Sequence, residues 1–220
     1  MKRRAIRRYE DVLPLVEELG FLPLFPGRIE GFSLWEMTQK LAWFSDDEEH
    51  DPWFWRQLCA KSGKVAYGKF FNGKAGLISL QCLPDFVNLR RRGQQFETLC
   101  TDGLFTPEAA RIMRLFQHGG EYSTPQIKQH TGGKGFERNL TLLQHGTFLT
   151  TCDFFRKRNK AGEEYGWSIG VLCKPETLFG TELVFSRFSD TLDASYHRLM
   201  ERCRHLFPRE SEAALAKFLE

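Results

Sequence analysis

One short basic segment in this sequence has the residue types and spacing best suited to binding phosphate groups. It reads Arg156-Lys157-Arg158-Asn159-Lys160 and is followed by Ala161-Gly162-Glu163-Glu164. Arginine and lysine side chains bind phosphate oxygens through charge-assisted hydrogen bonds. Two runs of β-like alternation flank the segment, Thr147–Phe155 and Tyr165–Leu172. The sequence therefore predicts a β-ribbon with a positively charged turn.

Three predicted helices precede this ribbon in the chain. They cover Pro107–Gln117, about two turns from Thr124-Pro125, and Phe136–His145. In the third helix, apolar residues four and three positions apart form a stripe that we expect to be buried. The order helix, helix, helix, strand, basic turn, strand is that of a winged helix. In such units the third helix usually lies in the major groove of DNA while the wing contacts the backbone.

This pattern indicates a double-stranded DNA partner and a set of contact residues. The expected contacts are Lys134, Arg138, Thr141, Gln144, His145, Arg156, Lys157, Arg158 and Lys160. Base reading would fall to Arg138, Thr141, Gln144 and His145, because arginine suits guanine and glutamine suits adenine. The other cations would contact phosphates. The alternative is that the unit binds another protein and has an unknown role.

The composition is that of an ordinary folded chain. Its 220 residues are 41% hydrophobic and 27% charged, and the formal net charge is +3. The predicted class is α+β, in three parts. An N-terminal subdomain of helices and a β-hairpin covers residues 1–103, a winged-helix domain 104–174, and a C-terminal helical segment 175–220. No apolar run approaches the length needed to span a bilayer, and we expect a cytoplasmic protein of undetermined oligomeric state.

Local signals outline the N-terminal part. Helices are predicted from Tyr9 to Leu19, from Ser33 to about Trp43, and from Asp51-Pro52 onward. Asn72-Gly73 between two alternating runs predicts a hairpin with a type I′ turn. A further helix is expected over Ser79–Arg92. The basic cluster at its end, Arg90-Arg91-Arg92, suits the negative end of a helix dipole.

Other clusters give weaker signals. Lys2, Arg3, Arg4, Arg7 and Arg8 make the N-terminus basic, which is typical of a solvated tail. The acidic run Asp46–Asp51 is interpreted as a solvated loop that caps the next helix, with metal binding or acid–base work as the alternative. No common catalytic motif or metal-ligand spacing is present, so we expect no metal and no cofactor. Cys152 and Cys173 lie in the two ribbon strands and are expected to be a small buried pair.

Several motifs together resemble a known family, over most of the chain. They are Asp51-Pro52-Trp53-x-Trp55-Arg56, Ala66-Tyr67-Gly68-Lys69-Phe70-Phe71, Lys74-Ala75-Gly76-Leu77-Ile78-Ser79 and Tyr165-Gly166-Trp167. They are similar to the AlkZ-related proteins, compact bacterial relatives of the winged-helix DNA glycosylases that act on alkylated or cross-linked bases. The resemblance implies DNA binding, a link to DNA repair and, in active members, base excision without metal or cofactor.

The resemblance also identifies where a catalytic pair would stand. The active enzymes carry Gln-x-Gln or Gln-x-Asp shortly after an N-terminal helix, and Pro23 and Phe25 occupy these positions here. Neither side chain can orient a water or stabilise positive charge on the sugar. The favoured interpretation is therefore a DNA-binding protein without excision activity, its catalytic residues unassigned. The alternative is an active, metal-independent DNA glycosylase that uses another carboxylate, from Asp46–Asp51 or Asp85.

Overall fold

A computed structural model describes residues 6–219, a mixed α+β fold. Lys2, Arg3 and Arg4 of the basic N-terminus lie outside the described residues. Within residues 6–219 there are twelve α-helices and two antiparallel sheets of three strands each. The first sheet has the strand order β1-β3-β2 and the second β4-β6-β5. Each sheet contains one local hairpin, and its third strand comes from a distant part of the chain.

The N-terminal elements surround the first sheet. Their bounds are α1 Tyr9–Leu19, β1 Phe21–Pro23, α2 Leu34–Met37, α3 Pro52–Lys61, β2 Val65–Phe71, β3 Lys74–Ser79 and α4 Leu83–Arg90. The predicted hairpin is confirmed. Asn72 and Gly73 have φ of 49° and 75°, the left-handed values that a type I′ turn needs. Strand β1 pairs with β3 and was not predicted, because its proline and short length hide a strand pattern.

The middle of the chain forms the second sheet and the helices packed on it. The bounds are α5 Phe96–Thr101, α6 Pro107–Leu115, β4 Tyr122–Ser123, α7 Thr124–Thr131, α8 Phe136–His145, β5 Thr150–Arg158 and β6 Glu164–Cys173. The helix predicted over Phe136–His145 has the predicted bounds. The first ribbon strand begins and ends three residues later than expected, since Thr147 turns the chain with a φ of 61°. The second extends one residue further at each end than expected.

The remaining helices return to the N-terminal part. They are α9 Pro175–Phe179, α10 Thr181–Val184, α11 Leu192–Leu206 and α12 Glu212–Leu219. Apolar residues of α11 and α12, such as Leu199 and Phe218, belong to the same hydrophobic core as Phe21 and Phe86. A second core lies under the middle of the chain and includes Phe116, Ile127 and Leu143. Within residues 6–219, no helix is long and apolar enough to cross a membrane.

Two predicted helices are shorter in the structure. The one expected from Ser33 to Trp43 stops at Met37, because Thr38 is extended and its hydroxyl donates to the carbonyl of Leu34. The one expected over Ser79–Arg92 covers Leu83–Arg90 only. The prediction that Ser33 caps the first of these helices is confirmed, because the Ser33 hydroxyl accepts a hydrogen bond from the N–H of Glu36.

In the basic cluster at the end of α4, Arg91 is buried, Arg90 is half-buried and Arg92 is exposed. Arg91 is 1% exposed, and its guanidinium donates to Glu176 and to the carbonyl of Thr147. Arg90 donates to the carbonyls of His145 and Leu219. These residues therefore join α4 to the ends of other helices. The interpretation that these arginines interact only with the dipole of their own helix is therefore incomplete.

The cysteines of the ribbon strands face each other, as expected. Cys152 and Cys173 are both buried free thiols. A hydrogen bond with Cys152, together with burial, raises the pKa of the Cys173 thiol well above its usual value. Both sulfurs thus behave as small, unreactive core groups.

Candidate nucleic-acid interface

The basic ribbon, residues 150–173, ends in an ordered turn. The side-chain oxygen of Asn159 accepts from the N–H groups of Ala161 and Glu163 at 2.9 and 3.0 Å. The backbone of Asn159 also bonds the carbonyl of Glu163, and Gly162 supplies the left-handed φ of 86°. An asparagine that binds the backbone two residues ahead is a common device for closing turns. The turn therefore holds its cations on a fixed frame.

Four cations lie at this end of the ribbon, Arg156, Lys157 and Arg158 at the end of β5 and Lys160 in the turn, and all are exposed to solvent. Arg156 pairs with Glu48 at 3.3 Å, and Arg158 pairs with Glu164 at 3.1 Å. Exposed ion pairs of this kind contribute little to stability, so each arginine can exchange its carboxylate partner for another anion. Lys157 and Lys160 make no ion pair within residues 6–219. The structure thus brings Arg156, Lys157, Arg158 and Lys160 together at one exposed end of the ribbon.

The first part of the predicted contact helix is also exposed. Lys134 lies in the loop before α8, and Arg138 lies in the first turns of α8; both are exposed. Within the described part of the chain, neither makes an ion pair. Glu137 beside them is also exposed, so the local surface is of mixed charge. Lys134 and Arg138 are accessible to a ligand.

The second half of α8 faces another part of the protein, which corrects the expectation that its polar side is open. Gln144 is 6% exposed, and its side-chain oxygen accepts from the N–H of Lys69 at 3.2 Å. Thr141 accepts from the ammonium of Lys69 at 3.2 Å. Gly73, in the turn of the first sheet, lies beside the methyl group of Thr141. The β2–β3 hairpin therefore covers this side of the helix.

The β2–β3 hairpin packs on α8 because one backbone group of the first sheet lacks a hydrogen-bond partner within the sheet. Strand β2 loses register with β3 between Gly68 and Phe71, so the N–H of Lys69 has no ladder partner. Gln144 supplies the missing acceptor. Thr150 adds a second bond, from its hydroxyl to the carbonyl of Tyr67 at 3.0 Å. His145, at the end of α8, is half-buried, and its carbonyl is bonded by Arg90.

A cleft that the sequence did not reveal lies beside the ribbon. It has a volume of about 300 Å³ and opens between the acidic loop, α3 and β6. We call it the aromatic cleft, after the rings of Phe44, Trp53 and Trp167 that line it. The ring centroids lie 5.1 Å apart for Phe44 and Trp53 and 6.1 Å apart for Phe44 and Trp167. Asp46, Glu48, Asp51, Gln57 and Arg156 also line it.

Phe44 holds its place through an unusual backbone conformation. Its φ of 60° is left-handed, which is rare for a bulky residue and costs on the order of 1–3 kcal/mol. The carboxylate of Asp51 offsets this by accepting the N–H of Phe44 at 3.0 Å. The same oxygen accepts the N–H of Trp53 at 2.8 Å. Asp51 therefore caps α3, as predicted, and also orients the rings on both sides of it.

Charges beneath the cleft are partly desolvated. Burial raises the pKa of Asp51 above its ordinary value, against the hydrogen bonds from Trp53 and Phe44, which lower it. Arg56 stacks on Trp53, with its guanidinium carbon 3.6 Å from the ring centroid. Burial lowers the pKa of Arg56. This cation supports the Trp53 ring through a cation–π contact.

Of the two positions of the expected catalytic pair, Phe25 adjoins this cleft through its contact with Trp53. Pro23 is buried in β1, opposite Gly76. The ring of Phe25 lies 6.1 Å from that of Trp53 and 5.4 Å from that of Trp43. Asp85, the other carboxylate considered, lies elsewhere and is bound by Arg198 at 2.7 and 2.9 Å. It is committed to a structural ion pair.

No group of three or more metal-binding side chains comes together among residues 6–219. The cleft was not predicted because Trp167 lies more than a hundred residues away from Phe44 and Trp53 in the sequence. The only signals were the tryptophans on either side of the acidic run and the one in the ribbon.

Comparison with known proteins gives one match. The family model described as AlkZ related matches residues 6–220, nearly the whole chain. No curated protein matches the sequence. No solved structure matches it.

Proposed function

The chain belongs to the AlkZ-related family, and on this basis and that of the ribbon geometry we propose that it is a DNA-binding protein. In this proposal residues 104–174 form a winged helix and the basic ribbon is its wing. The observation that carries the proposal is the exposed end of the ribbon, where Arg156, Lys157 and Arg158 of β5 and Lys160 of the ordered turn lie together. Such a turn fits the phosphate backbone of DNA.

The topology supports the winged-helix assignment. The elements follow in the order α6, β4, α7, α8, β5, β6, and the strands lie in the order β4-β6-β5. A short first strand paired with the last strand of a ribbon is consistent with a small sheet that packs beside three helices. Phe136, Leu140 and Leu143 of α8 are buried, as a core-facing stripe requires.

The proposed DNA footprint is smaller than the one expected from the sequence. It includes the four cations of the turn, with Lys134 and Arg138 as further contacts. Thr141 and Gln144 are left out because they contact Lys69. Phosphate contacts position a protein without reading sequence. We therefore infer that the protein binds DNA with little sequence preference.

We further propose that excision by the family route is absent. Pro23 and Phe25 stand at the positions of the catalytic pair, and Phe25 is packed among tryptophan rings. Neither group offers a polar atom to a water or to a positively charged sugar. The proposal thus separates DNA binding from base chemistry.

A salt titration of DNA binding tests the main proposal. Fluorescence anisotropy with a labelled duplex gives the dissociation constant at each salt concentration. Each phosphate contact contributes about −0.9 to the slope of log affinity against log salt. With about four contacts, affinity should fall by more than a hundredfold between about 50 and 250 mM salt. A dissociation constant that does not depend on salt concentration, or an absence of DNA binding, would contradict the proposal and favour a protein-interaction module.

One observation favours a second function, base excision within the aromatic cleft. Asp51 is a buried carboxyl at the cleft, beside Phe25 and among aromatic rings that could stack on an extruded base. A carboxylate there would stabilise positive charge on the sugar.

Chromatography of alkylated DNA would detect a released base. The change Asp51→Asn should then abolish release yet keep the helix cap, because asparagine caps equally well. The matched control is Asp153→Asn, on a carboxylate paired with Lys61.

A further inference from the structure

We propose that the aromatic residues of the ribbon and cleft bind unpaired bases, so that the protein selects DNA with a single-stranded segment over fully paired duplex. This inference rests on the proposed DNA-binding function and names the DNA structure it prefers. It does not depend on base excision.

The first argument is the unusual exposure of aromatic rings at the ribbon. Trp167 is 69% exposed, Tyr165 53%, Phe44 49% and Phe155 43%. These are four of the eight large hydrophobic residues that are exposed among residues 6–219. Clustered exposed apolar groups are a feature of binding surfaces. Cations flank them on the same ribbon, so this surface matches a nucleic acid better than an apolar partner.

The second argument is the shape of the cleft. Trp167 meets the Phe44 ring at 85° and the Trp53 ring at 82°, with centroids 6.1 and 6.5 Å apart. In these edge-to-face contacts an edge of one ring lies against a face of the other, and Arg56 also stacks on Trp53. Trp167 is largely exposed and is therefore the ring on which a flat ligand can stack. The volume of about 300 Å³ is at the lower end for small-ligand sites, which are about 300–1,000 Å³.

The third argument is that the charges are sorted by position. Lys157, Arg158 and Lys160 lie at the end of the ribbon and outside the cleft lining, whereas Asp46, Glu48 and Asp51 line the cleft together with one cation, Arg156, which pairs with Glu48. The carboxylates repel phosphate but accept hydrogen bonds from amino groups of bases, such as that of cytosine. A strand whose phosphates follow the turn would therefore place bases, and not phosphates, in the cleft.

The fourth argument is the held conformation of Phe44. Its left-handed backbone is fixed by Asp51, which also holds Trp53. Strain that is fixed by surrounding bonds is typical of functional positions. Here it keeps the Phe44 ring half-exposed at the mouth of the cleft.

Paired duplex cannot use these rings without cost. Its base faces are covered by their neighbours, and extruding one base costs a few kcal/mol. An unpaired base stacks without that cost. Stacking on an aromatic side chain contributes about 1–3 kcal/mol per base, which corresponds to about 5- to 150-fold in affinity.

The test measures binding of the full-length protein to three labelled DNA probes of equal length. They are a paired duplex, the same duplex with a central unpaired bubble, and a single strand. Anisotropy gives the dissociation constants at one salt concentration. We expect the bubble and the single strand to bind about tenfold or more tightly than the duplex. Trp167→Ala should remove most of this preference while leaving duplex affinity within about twofold, and Trp167→Phe should retain part of it.

The control is Leu192→Ala, which removes an exposed apolar side chain of α11, away from the ribbon. It should leave all three constants unchanged. Because Trp167 is largely exposed, its loss should not unfold the protein, and a thermal melt of each variant checks this. Equal affinity for the three probes would overturn this inference and leave the proposed function intact. No salt-dependent binding to any probe would overturn both.

Discussion

Two regions of the chain carry the polar residues expected to contact DNA, and the structure treats them differently. The turn of the basic ribbon projects into solvent with all its cations exposed. The second half of α8 presents Thr141 and Gln144 to Lys69 of the first sheet. The contrast shows that a polar helix side is not necessarily an open one. It can face a neighbouring strand that needs hydrogen-bond partners.

The energetic roles of the two regions should therefore be opposite. Polar groups on the covered side satisfy buried backbone groups, so their loss should lower stability. Cations on the turn form only exposed ion pairs, so their loss should affect binding and leave stability almost unchanged. Substitutions in the two regions test this separation.

The first prediction concerns the buried arginine that holds the covered side. Arg91→Ala leaves the Glu176 carboxylate without its partner and removes the bond to the carbonyl of Thr147, just after α8. Loss of one partner of a buried ion pair costs about 3–5 kcal/mol. Urea denaturation should show this loss in the free energy of unfolding. The adjacent exposed Arg92→Ala is the matched control and should change stability by less than about 0.5 kcal/mol.

The second prediction concerns the ribbon turn. Arg156→Ala with Arg158→Ala removes two phosphate contacts and should weaken duplex binding about a hundredfold at low salt, with the salt slope shallower by about 1.8. Stability should hardly change. Anisotropy and a thermal melt measure the two effects. A control double variant, Arg187→Ala with Arg204→Ala, removes the same charge from exposed sites elsewhere. Equal weakening in both variants would mean that only net charge matters.

The third prediction concerns the covered side of α8. Gln144→Ala leaves the N–H of Lys69 without its acceptor, at the point where β2 leaves the ladder. An unpaired buried donor costs about 1–3 kcal/mol, which urea denaturation would detect. Duplex affinity of the folded variant should stay within about twofold. A large loss of affinity with unchanged stability would instead mean that α8 leaves the hairpin to bind DNA.

Local patterns were sufficient to predict much of the fold. The spacing of Phe136, Leu140 and Leu143 gave the bounds of α8, and Asn72-Gly73 gave the hairpin turn, because both signals depend on neighbouring residues alone. Strand β1 was missed because its partner β3 lies more than fifty residues away. Pairing at that distance depends on tertiary packing, which no short window records.

The candidate site divides in the same way. The basic turn could be predicted because its cations are consecutive and lie between two alternating runs. The aromatic cleft could not, because it joins Phe44, Trp53 and Trp167 from three separate elements. The burial of Gln144 was also hidden, since helical periodicity identifies the side that faces its own core. It does not reveal what covers the opposite side.

The fourth prediction concerns Arg138, the exposed cation of α8 that is still able to read a base. If the helix contributes only a phosphate contact, Arg138→Ala should weaken binding to all duplex sequences alike, by several-fold, and make the salt slope shallower by about 0.9. Anisotropy with a panel of duplexes of different sequence measures this, and Arg111→Ala on α6 is the control. If α8 enters the major groove, Arg138→Ala should instead weaken binding to guanine-containing sites selectively, by about 1–3 kcal/mol. Selective loss would extend the footprint along the helix, whereas uniform loss would confine specific contacts to the ribbon and its cleft.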